Sequence, residues 1–210
     1  MSPVADFRTL TPEAVIDAVE SLGLRADGRV LALNSYENRV LRVGLEDAAP
    51  VVAKFYRPAR WSDAQIREEH AFVGELHDEG LSVVPPLAFA GETLHSHGAL
   101  RFALFPLQGG HAPEMDRAEV RLALGETLGR LHAVGARHPF RHREALSIDT
   151  LGWASLDTLL EGPWIEPALH DSFEDVGSAL LEAVEERFAE MEGIGQRRLH
   201  GDLHPGNVLW

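Results

Sequence analysis

The last residues of the chain, 200–210, place several polar side chains on a short turn that an apolar stretch follows. They read HGDLHPGNVLW, so Asp202 stands five residues before Asn207 and Pro205-Gly206 marks a turn between them. A carboxylate at the first position can accept a proton, and an amide oxygen at the second can bind a metal ion. The spacing therefore fits a chemical site that the rest of the chain would have to support.

Three interpretations of this turn are open. The spacing is that of a kinase catalytic loop, in which Asp202 accepts the proton of the attacking hydroxyl and Asn207 holds Mg²⁺. An ordinary surface loop is the second interpretation, because Pro205-Gly206 alone marks a turn. The third interpretation is a zinc hydrolase, since His200, Asp202 and His204 alternate along one stretch. The upstream sequence has to decide between them.

Composition limits the class of protein. With 210 residues, 45% of them hydrophobic, the chain can bury the core of one or two compact units. A net charge of -14 argues against a nucleic-acid partner. No long apolar run and no N-terminal signal pattern occur, so we expect no membrane partner and a cytoplasmic protein. Without cysteine the chain has no disulfide, no thiolate metal site and no cysteine nucleophile.

Lys54 is the only lysine among 19 basic residues, and it lies within the apolar segment Pro50–Tyr56. Strand alternation predicts that Lys54 and Tyr56 face one side of a sheet while Phe55 faces the other. A lysine on such a strand suits the pairing of nucleotide phosphates. The alternative is an edge lysine that discourages aggregation.

The first third of the chain predicts a helix followed by three antiparallel strands. Pro12 and Gly23 bracket the helix. The strands are predicted from their β-branched and apolar alternation, and they cover 28–34, 39–45 and 50–56. The loop Asn34–Asn38 joins the first two, and its Ser35 would lie over nucleotide phosphates in a kinase; a plain hairpin turn is the alternative.

A capping box at Ser62–Gln65 predicts a second helix that runs to about Gly80. At helical spacing, Glu69 falls on the same face as the apolar residues of this helix. A buried carboxylate needs a cation, and Lys54 on the preceding strand is the candidate partner. The alternative is a solvated Glu69 at the edge of that face.

Beyond this helix the pattern changes from mixed sheet and helix to helix alone. Strands are predicted at 87–91 and 100–105, with Gly91 and residues 95–98 between them. The chain then breaks at 105–110, and core helices are predicted at 118–134 and 172–191. The break predicts a boundary between an N-terminal domain of residues 1–107 and a helical domain of residues 108–210. The pattern gives no role to residues 135–170.

Taken together, these segments resemble the aminoglycoside phosphotransferase and choline kinase superfamily, for which HGDLHPGN is a typical catalytic loop. More narrowly, the chain is similar to the bacterial stress response kinase A family. The segments that carry this resemblance are LNSYENRV at 33–40, VAKFYRPARW with EEH between 52 and 70, and RLHGDLHPGNVLW at 198–210. It implies an α+β, bilobal, protein-kinase-like fold with a five-stranded antiparallel N-lobe and a helical C-lobe. It also implies a monomeric serine/threonine protein kinase that uses ATP and Mg²⁺ in a bacterial stress response.

The resemblance assigns roles to individual residues. Asp202 corresponds to the proton acceptor and Asn207 to a Mg²⁺ ligand, and Ser35 corresponds to a serine that contacts the nucleotide. Lys54 and Glu69 correspond to the lysine that pairs the phosphates and to its glutamate partner. The hinge beginning near residue 105, with Pro106 and Leu107, would bind adenine through its backbone.

One feature of the superfamily is not found in the sequence. A second Mg²⁺-binding aspartate follows the catalytic loop in the superfamily, and this chain ends at Trp210 before that position. We therefore expect a truncated C-lobe in a catalytically silent, poorly soluble fragment, or a degenerate ATP-binding module. Three functional classes stay open: a protein kinase, a small-molecule kinase of the aminoglycoside or homoserine type, and a non-catalytic nucleotide binder.

Overall fold

The chain forms two compact units. The structure is a computed structural model that describes residues 7–191 and 195–210. The larger unit, which we call the main unit, contains the chain up to His142 together with Arg197–Trp210, and the second unit is Arg143–Gln196. This grouping does not test the division at residue 107, which stays a prediction. The main unit contains all of the predicted site residues.

A five-stranded antiparallel sheet forms the centre of the main unit, as the sequence predicts. Its strands are β1 (Ala26–Leu33), β2 (Arg39–Leu45), β3 (Val51–Tyr56), β4 (His95–His97) and β5 (Leu100–Pro106). Their order is β1-β2-β3-β5-β4, which puts β3 in the middle. The first three strands are rich in the β-branched and apolar residues that fit a pleated, buried surface.

The predicted strand at 87–91 is wrong. In the described part of the chain, its backbone pairing is limited to a bond from the Leu87 N–H to the Leu104 carbonyl at 2.7 Å and an isolated bridge between Phe89 and Glu92. Ala90 and Gly91 then take positive φ angles of +50° and +85°, which turn the chain. The fourth strand is the short polar segment His95–His97, which the sequence pattern leaves between the two predicted strands.

The helices of the main unit are α1 (Pro12–Glu20), α2 (Asp63–Asp78) and α3 (Ala118–Gly135), and those of the second unit are α4 (Ala154–Glu161) and α5 (His170–Glu190). Single helical turns also occur, of the 3-10 type at Phe7–Thr9, Pro167–Leu169 and Pro205–Asn207 and of the π type at Asp149–Trp153. Helix α2 has the predicted start, because the Ser62 capping box is formed. It ends before Gly80, which has a φ of +75°.

Alternation along β3 separates two of the three core clusters of the main unit, one on each face of the sheet. Phe55 is fully buried and packs with Val15 of α1, whereas Tyr56 packs with Ile66 of α2. Because neighbouring strand residues point to opposite faces, α1 and α2 cover opposite faces of the sheet. Lys54 shares the α2 face with Tyr56, which matches the predicted alternation.

The second unit differs from the prediction in the packing of its long helix. Helix α5 forms where a core helix is predicted, but none of its residues is buried in the described part of the chain. Its apolar residues are largely exposed, for example Val176 at 69% and Leu180 at 62%. The predicted helical period is therefore confirmed, whereas the assignment of α5 to a core is wrong.

Within the described residues, no helix combines the length and the apolar character that crossing a bilayer requires.

The end of α3 lies against the backbone that leads into the turn at residues 200–207. A Cβ atom built on Gly135 would stand 2.2 Å from the carbonyl oxygen of Arg198. The Arg198 N–H in turn donates to the Gly135 carbonyl at 3.1 Å. Only a residue without a side chain allows these two backbones to approach so closely.

We therefore expect Gly135→Ala to destabilise the protein by about 1–3 kcal/mol, since the new methyl group pushes the Arg198 segment away from α3. Gly129→Ala on the same helix is the control. A Cβ there meets nothing within 4 Å, so alanine should stabilise the helix by up to about 1 kcal/mol. Urea unfolding of both variants checks this pair of opposite signs, and stabilisation by Gly135→Ala would contradict the close approach.

Candidate active site

Asp202 and Asn207 are held together by the turn that separates them. Gly201 has a φ of +79°, which glycine adopts without strain, and a 3-10 turn follows at Pro205–Asn207. The Asn207 Nδ2 donates to the backbone carbonyl of Asp202 at 2.8 Å and to its Oδ2 at 3.0 Å. Since Nδ2 makes both contacts, Oδ1 is the atom of Asn207 that can serve a ligand.

The Asp202 carboxylate is oriented and still accessible. Its side chain is 77% exposed, while Oδ2 accepts the hydrogen bond from Asn207. An exposed carboxylate with a fixed orientation can accept a proton from a bound hydroxyl. The geometry is compatible with the general base that the sequence predicts at this position.

The two histidines of the turn support its backbone. The Asp202 N–H donates to His200 Nδ1 at 3.3 Å, and the Gly206 N–H donates to His204 Nδ1 at 3.1 Å. Among residues 7–191 and 195–210, no group of three or more His, Cys, Asp or Glu side chains is placed to hold a metal ion. The three-ligand zinc site that the spacing allows is therefore not formed.

The segment that carries the turn is fixed at its far end to the chain that follows β5. Trp210 and His111 exchange two backbone hydrogen bonds, of 2.9 and 3.3 Å. A Cβ on Gly110 would lie 2.9 Å from the Leu209 Cβ, so the two backbones are in close contact. The predicted hinge is directly upstream, with Pro106 at the end of β5 and Leu107 after it. The segment that follows the predicted hinge is therefore in contact with the segment that follows the turn.

Lys54 and Glu69 pair as the sequence pattern predicts. The Lys54 Nζ lies 3.5 Å from the Glu69 Oε1, and the side chains are 26% and 34% exposed. The same Nζ stands 4.9 Å from the centre of the Tyr56 ring. The ammonium group is therefore held over an aromatic ring beside a carboxylate, but it still reaches solvent. In this position it can bind a phosphate without leaving its partners.

The loop that contains Ser35 begins at the same level along the strands as Lys54. Leu33 pairs with Val40, and Val40 pairs with Lys54, so the loop between Leu33 and Val40 begins in the row that contains the lysine. The Ser35 Oγ donates to the Asn38 carbonyl at 2.9 Å, which tightens the loop. Its oxygen remains able to accept a hydrogen bond.

The same loop is fastened to the segment between β3 and α2. The Arg57 N–H donates to the Asn38 Oδ1 at 3.1 Å, and the Arg60 Nε donates to the Glu37 Oε1 at 2.7 Å. The Arg60 guanidinium is itself 4.5 Å from the Trp61 ring. The segments 33–40 and 52–61, which both carry the family resemblance, therefore contact each other. The second segment holds the Ser35 loop in place.

A buried histidine lies next to the Lys54–Glu69 pair. The His70 side chain is 5% exposed and bonds Tyr56 through Nε2 at 2.7 Å and Thr93 through Nδ1 at 2.9 Å. One ring nitrogen donates and the other accepts, so a neutral ring satisfies both bonds. Burial lowers the pKa of His70 from 6.5 to about 4, with Lys54 contributing and Glu69 opposing.

Because the folded protein keeps His70 neutral, acid should destabilise it. Between the unfolded pKa near 6.5 and the folded pKa of about 4, the unfolded chain binds the extra proton. The free energy of unfolding should fall by about 2 kcal/mol from pH 7 to pH 5 on this account. Urea titrations of wild type and His70→Gln measure it, with His77→Gln, an exposed histidine of α2, as the control. An equal pH dependence in wild type and His70→Gln would contradict the assignment.

Sequence reasoning missed the contacts that α2 makes away from Lys54. Glu75 binds Arg198, which is 123 positions further along the chain, and His70 binds Thr93 on the far side of a proline-rich segment. Helical periodicity places both residues on or near the buried face, but it does not name a partner. The EEH triplet at 68–70 was the available signal for His70, and nothing comparable marks Glu75.

Comparison with known proteins finds relatives over most of the chain, including both units. A model of the phosphotransferase enzyme family matches residues 29–210. Stress response kinase A of Salmonella choleraesuis is 40% identical over 204 residues, which are 97% of this chain and 62% of that protein. The protein of Salmonella typhimurium called serine/threonine protein kinase RdoA shows the same identity and coverage. The chain thus spans less than two thirds of the length of these relatives.

A solved structure gives the same picture for the fold. A complex of the amicoumacin kinase hAmiN superimposes with a TM-score of 0.71 at 19% identity, and the match covers 94% of this chain and 60% of that one. At this identity the likeness concerns the fold alone. It confirms the kinase-like α+β fold that the sequence predicts.

Proposed function

Since the chain belongs to the phosphotransferase enzyme family, we propose that it transfers the γ-phosphoryl group of ATP to serine or threonine hydroxyls of proteins. The observation that carries this proposal is the turn at residues 200–207, called the catalytic turn from here on, in which Asn207 orients an exposed Asp202. The chain after this turn is bonded at Trp210 to His111, which follows the proposed hinge. Phosphoryl transfer needs positioning and charge stabilisation more than covalent chemistry, and this arrangement supplies positioned groups.

Lys54, Ser35 and the hinge form the nucleotide end of the proposed site. Lys54 binds the phosphates while Glu69 fixes the direction of its side chain. The Ser35 loop closes over the phosphates from the next strands, and it is held in place from the segment after β3. Backbone groups around Pro106 and Leu107 bind the adenine edge. ATP use is consistent with the family and with the presence of AMP-PNP, an ATP analogue, in the hAmiN complex.

Asp202 and Asn207 form the acceptor end. Asp202 takes the proton of the attacking hydroxyl, and the Asn207 amide keeps the carboxylate turned toward it. The Asn207 Oδ1 and the neighbouring Asp202 carboxylate are oxygen ligands of the kind that Mg²⁺ prefers, so these two residues fit the metal ion. Bound with ATP, Mg²⁺ would neutralise charge on the phosphates.

The acceptor class is the finer part of the proposal. A protein acceptor and a role in a bacterial stress response are supported by the names of the two Salmonella relatives, and a cytoplasmic location belongs to the same proposal. A cationic small molecule with a hydroxyl group is the second candidate. The observation that favours it is the net charge of -14, since an acidic protein attracts polycations.

An assay with γ-labelled ATP and Mg²⁺ tests both candidates. The full-length protein is incubated in parallel with casein and with a panel of aminoglycosides, and Asp202→Asn is the blank. We expect label in phosphoserine and phosphothreonine of the protein substrate. Label only in a small molecule would establish the second candidate, and ATP binding without transfer to any acceptor would contradict both.

A further inference from the structure

Arg198 is a buried cation four residues before Asp202. Its side chain is 4% exposed. The Nη1 lies 2.5 Å from the Glu75 Oε2, and the Nη2 donates to the Val134 carbonyl at 3.2 Å. The guanidinium also stands 4.2 Å from the centre of the Phe72 ring. Three segments, α2, the end of α3 and the start of the catalytic segment, therefore meet at this one side chain.

Both carboxylate oxygens of Glu75 have partners, and Oε2 binds Arg198. Its second oxygen, Oε1, lies 3.0 Å from the His138 Nε2. The hydrogen bond from Arg198 is the main reason why the pKa of Glu75 is below its usual value. Glu75 lies on α2, as does Glu69, which binds Lys54. One rigid helix thus holds both the phosphate-binding lysine and the root of the catalytic turn.

Stability alone is a weak reason for such a pair. Taking a guanidinium out of water is costly, and a buried ion pair often stabilises a fold no better than apolar residues would. Within the described residues, the Arg198 Nε is buried without a hydrogen-bond partner, which adds to that cost. A pair with these properties is better explained by the position that it imposes.

We propose that Glu75 and Arg198 are positioning residues for phosphoryl transfer, which align Asp202 with the nucleotide held by Lys54. This inference rests on the proposed function, because it assigns Asp202 and Lys54 to opposite ends of one reaction. The pair acts through the backbone: Arg198 is tied to α2 by its side chain and to Gly135 by its N–H, and the turn follows directly. A pair that served only the core would affect stability and leave the turn unchanged.

Glu75→Gln tests the inference in the full-length protein. The amide keeps the size of the side chain but removes the charge that faces Arg198. We expect the turnover number to fall on the order of 10²-fold, as for a catalytic group displaced by about 1 Å, with ATP affinity little changed. Hydrogen exchange of the amides of residues 200–208 should accelerate, which is a readout that needs no activity.

Glu79→Gln is the matched control. Glu79 is the residue that directly follows α2, and it pairs with Arg137 at 2.5 Å, but the two side chains are 42% and 48% exposed, whereas Arg198 is buried. This variant should leave turnover and exchange in the turn unchanged. If Glu75→Gln does not fold, Arg198→Lys replaces it, because lysine keeps the charge but cannot bind Glu75 and the Val134 carbonyl together in one plane.

The outcomes separate this inference from the proposed function. Unchanged turnover and unchanged exchange in Glu75→Gln, with an active wild type and an inactive Asp202→Asn, would overturn the positioning role alone. A wild type that binds ATP but transfers no phosphate would overturn the proposed function, and the exchange measurement would still decide whether Glu75 holds the turn. Equal losses in Glu75→Gln and Glu79→Gln would also count against a specific role.

Discussion

Asp202→Asn is expected to lower the turnover number on the order of 10²–10⁴-fold, with little change in ATP affinity. The asparagine keeps the shape of the side chain, and its oxygen can still accept the hydrogen bond from the Asn207 Nδ2 that the aspartate accepts at 3.0 Å. It cannot accept a proton from the attacking hydroxyl at neutral pH. The loss should therefore appear in the chemical step, and single-turnover transfer from labelled ATP measures it directly.

Asp17→Asn is the control for this prediction, because it changes the same charge on α1, away from the catalytic turn. It should leave both the rate and the ATP affinity unchanged. Turnover of Asp202→Asn within a few-fold of wild type would mean that another group takes the proton, or that the hydroxyl loses it only after transfer. Loss of ATP binding would instead indicate that Asp202 serves the nucleotide.

Lys54→Met is expected to lower kcat/KM for ATP on the order of 10²–10³-fold, which is the range for removing one charge-stabilising donor. The methionine side chain has a similar length and can pack on the Tyr56 ring that Lys54 covers at 4.9 Å. The fold should persist, since Lys54 is partly exposed and pairs through its terminal group. Nucleotide titration and steady-state kinetics of the variant separate the effect on binding from the effect on rate.

Arg29→Met provides the comparison for the lysine. Arg29 is also a cation on a strand of the sheet, but it is 79% exposed and bound to Asp27 near the start of β1. Its replacement should not affect ATP. Wild-type ATP affinity and phosphate transfer in Lys54→Met would contradict the role of Lys54 in binding the phosphates. The proposed role of Glu69 in orienting Lys54 would fall with it.

The elements that follow from local sequence could be predicted. The three strands before α2 follow from the alternation of their side chains, and the start of α2 follows from the cap chemistry of Ser62. The Lys54–Glu69 pair follows from strand alternation on one side and helical periodicity on the other. The position of the fourth strand could not, because the positive φ angles of Ala90 and Gly91 turn the chain within 87–91 in spite of its apolar sequence. His95–His97 gains its place as an edge strand from packing rather than from propensity.

The contacts that assemble the site depend on distant partners. The Glu75–Arg198 pair and the two backbone bonds between His111 and Trp210 join segments whose separation along the chain carries no periodic signal. Their formation is decided by the tertiary fold, since any glutamate on that face of α2 would look alike in the sequence. The turn itself could be predicted because its internal hydrogen bonds are local, within the stretch from His200 to Asn207.

Three glutamates of α2 and the glutamate that directly follows it bind four different parts of the main unit. Glu68 accepts the backbone N–H groups of Arg141 and His142, Glu69 binds Lys54, Glu75 binds Arg198 and Glu79 binds Arg137. A deletion of one residue early in α2 would rotate every later side chain by about 100° and break all four contacts at once. Insertions in the loops on either side of this helix should therefore be tolerated. Insertions or deletions within the helix should not, because they would change the direction of all four glutamates relative to their partners.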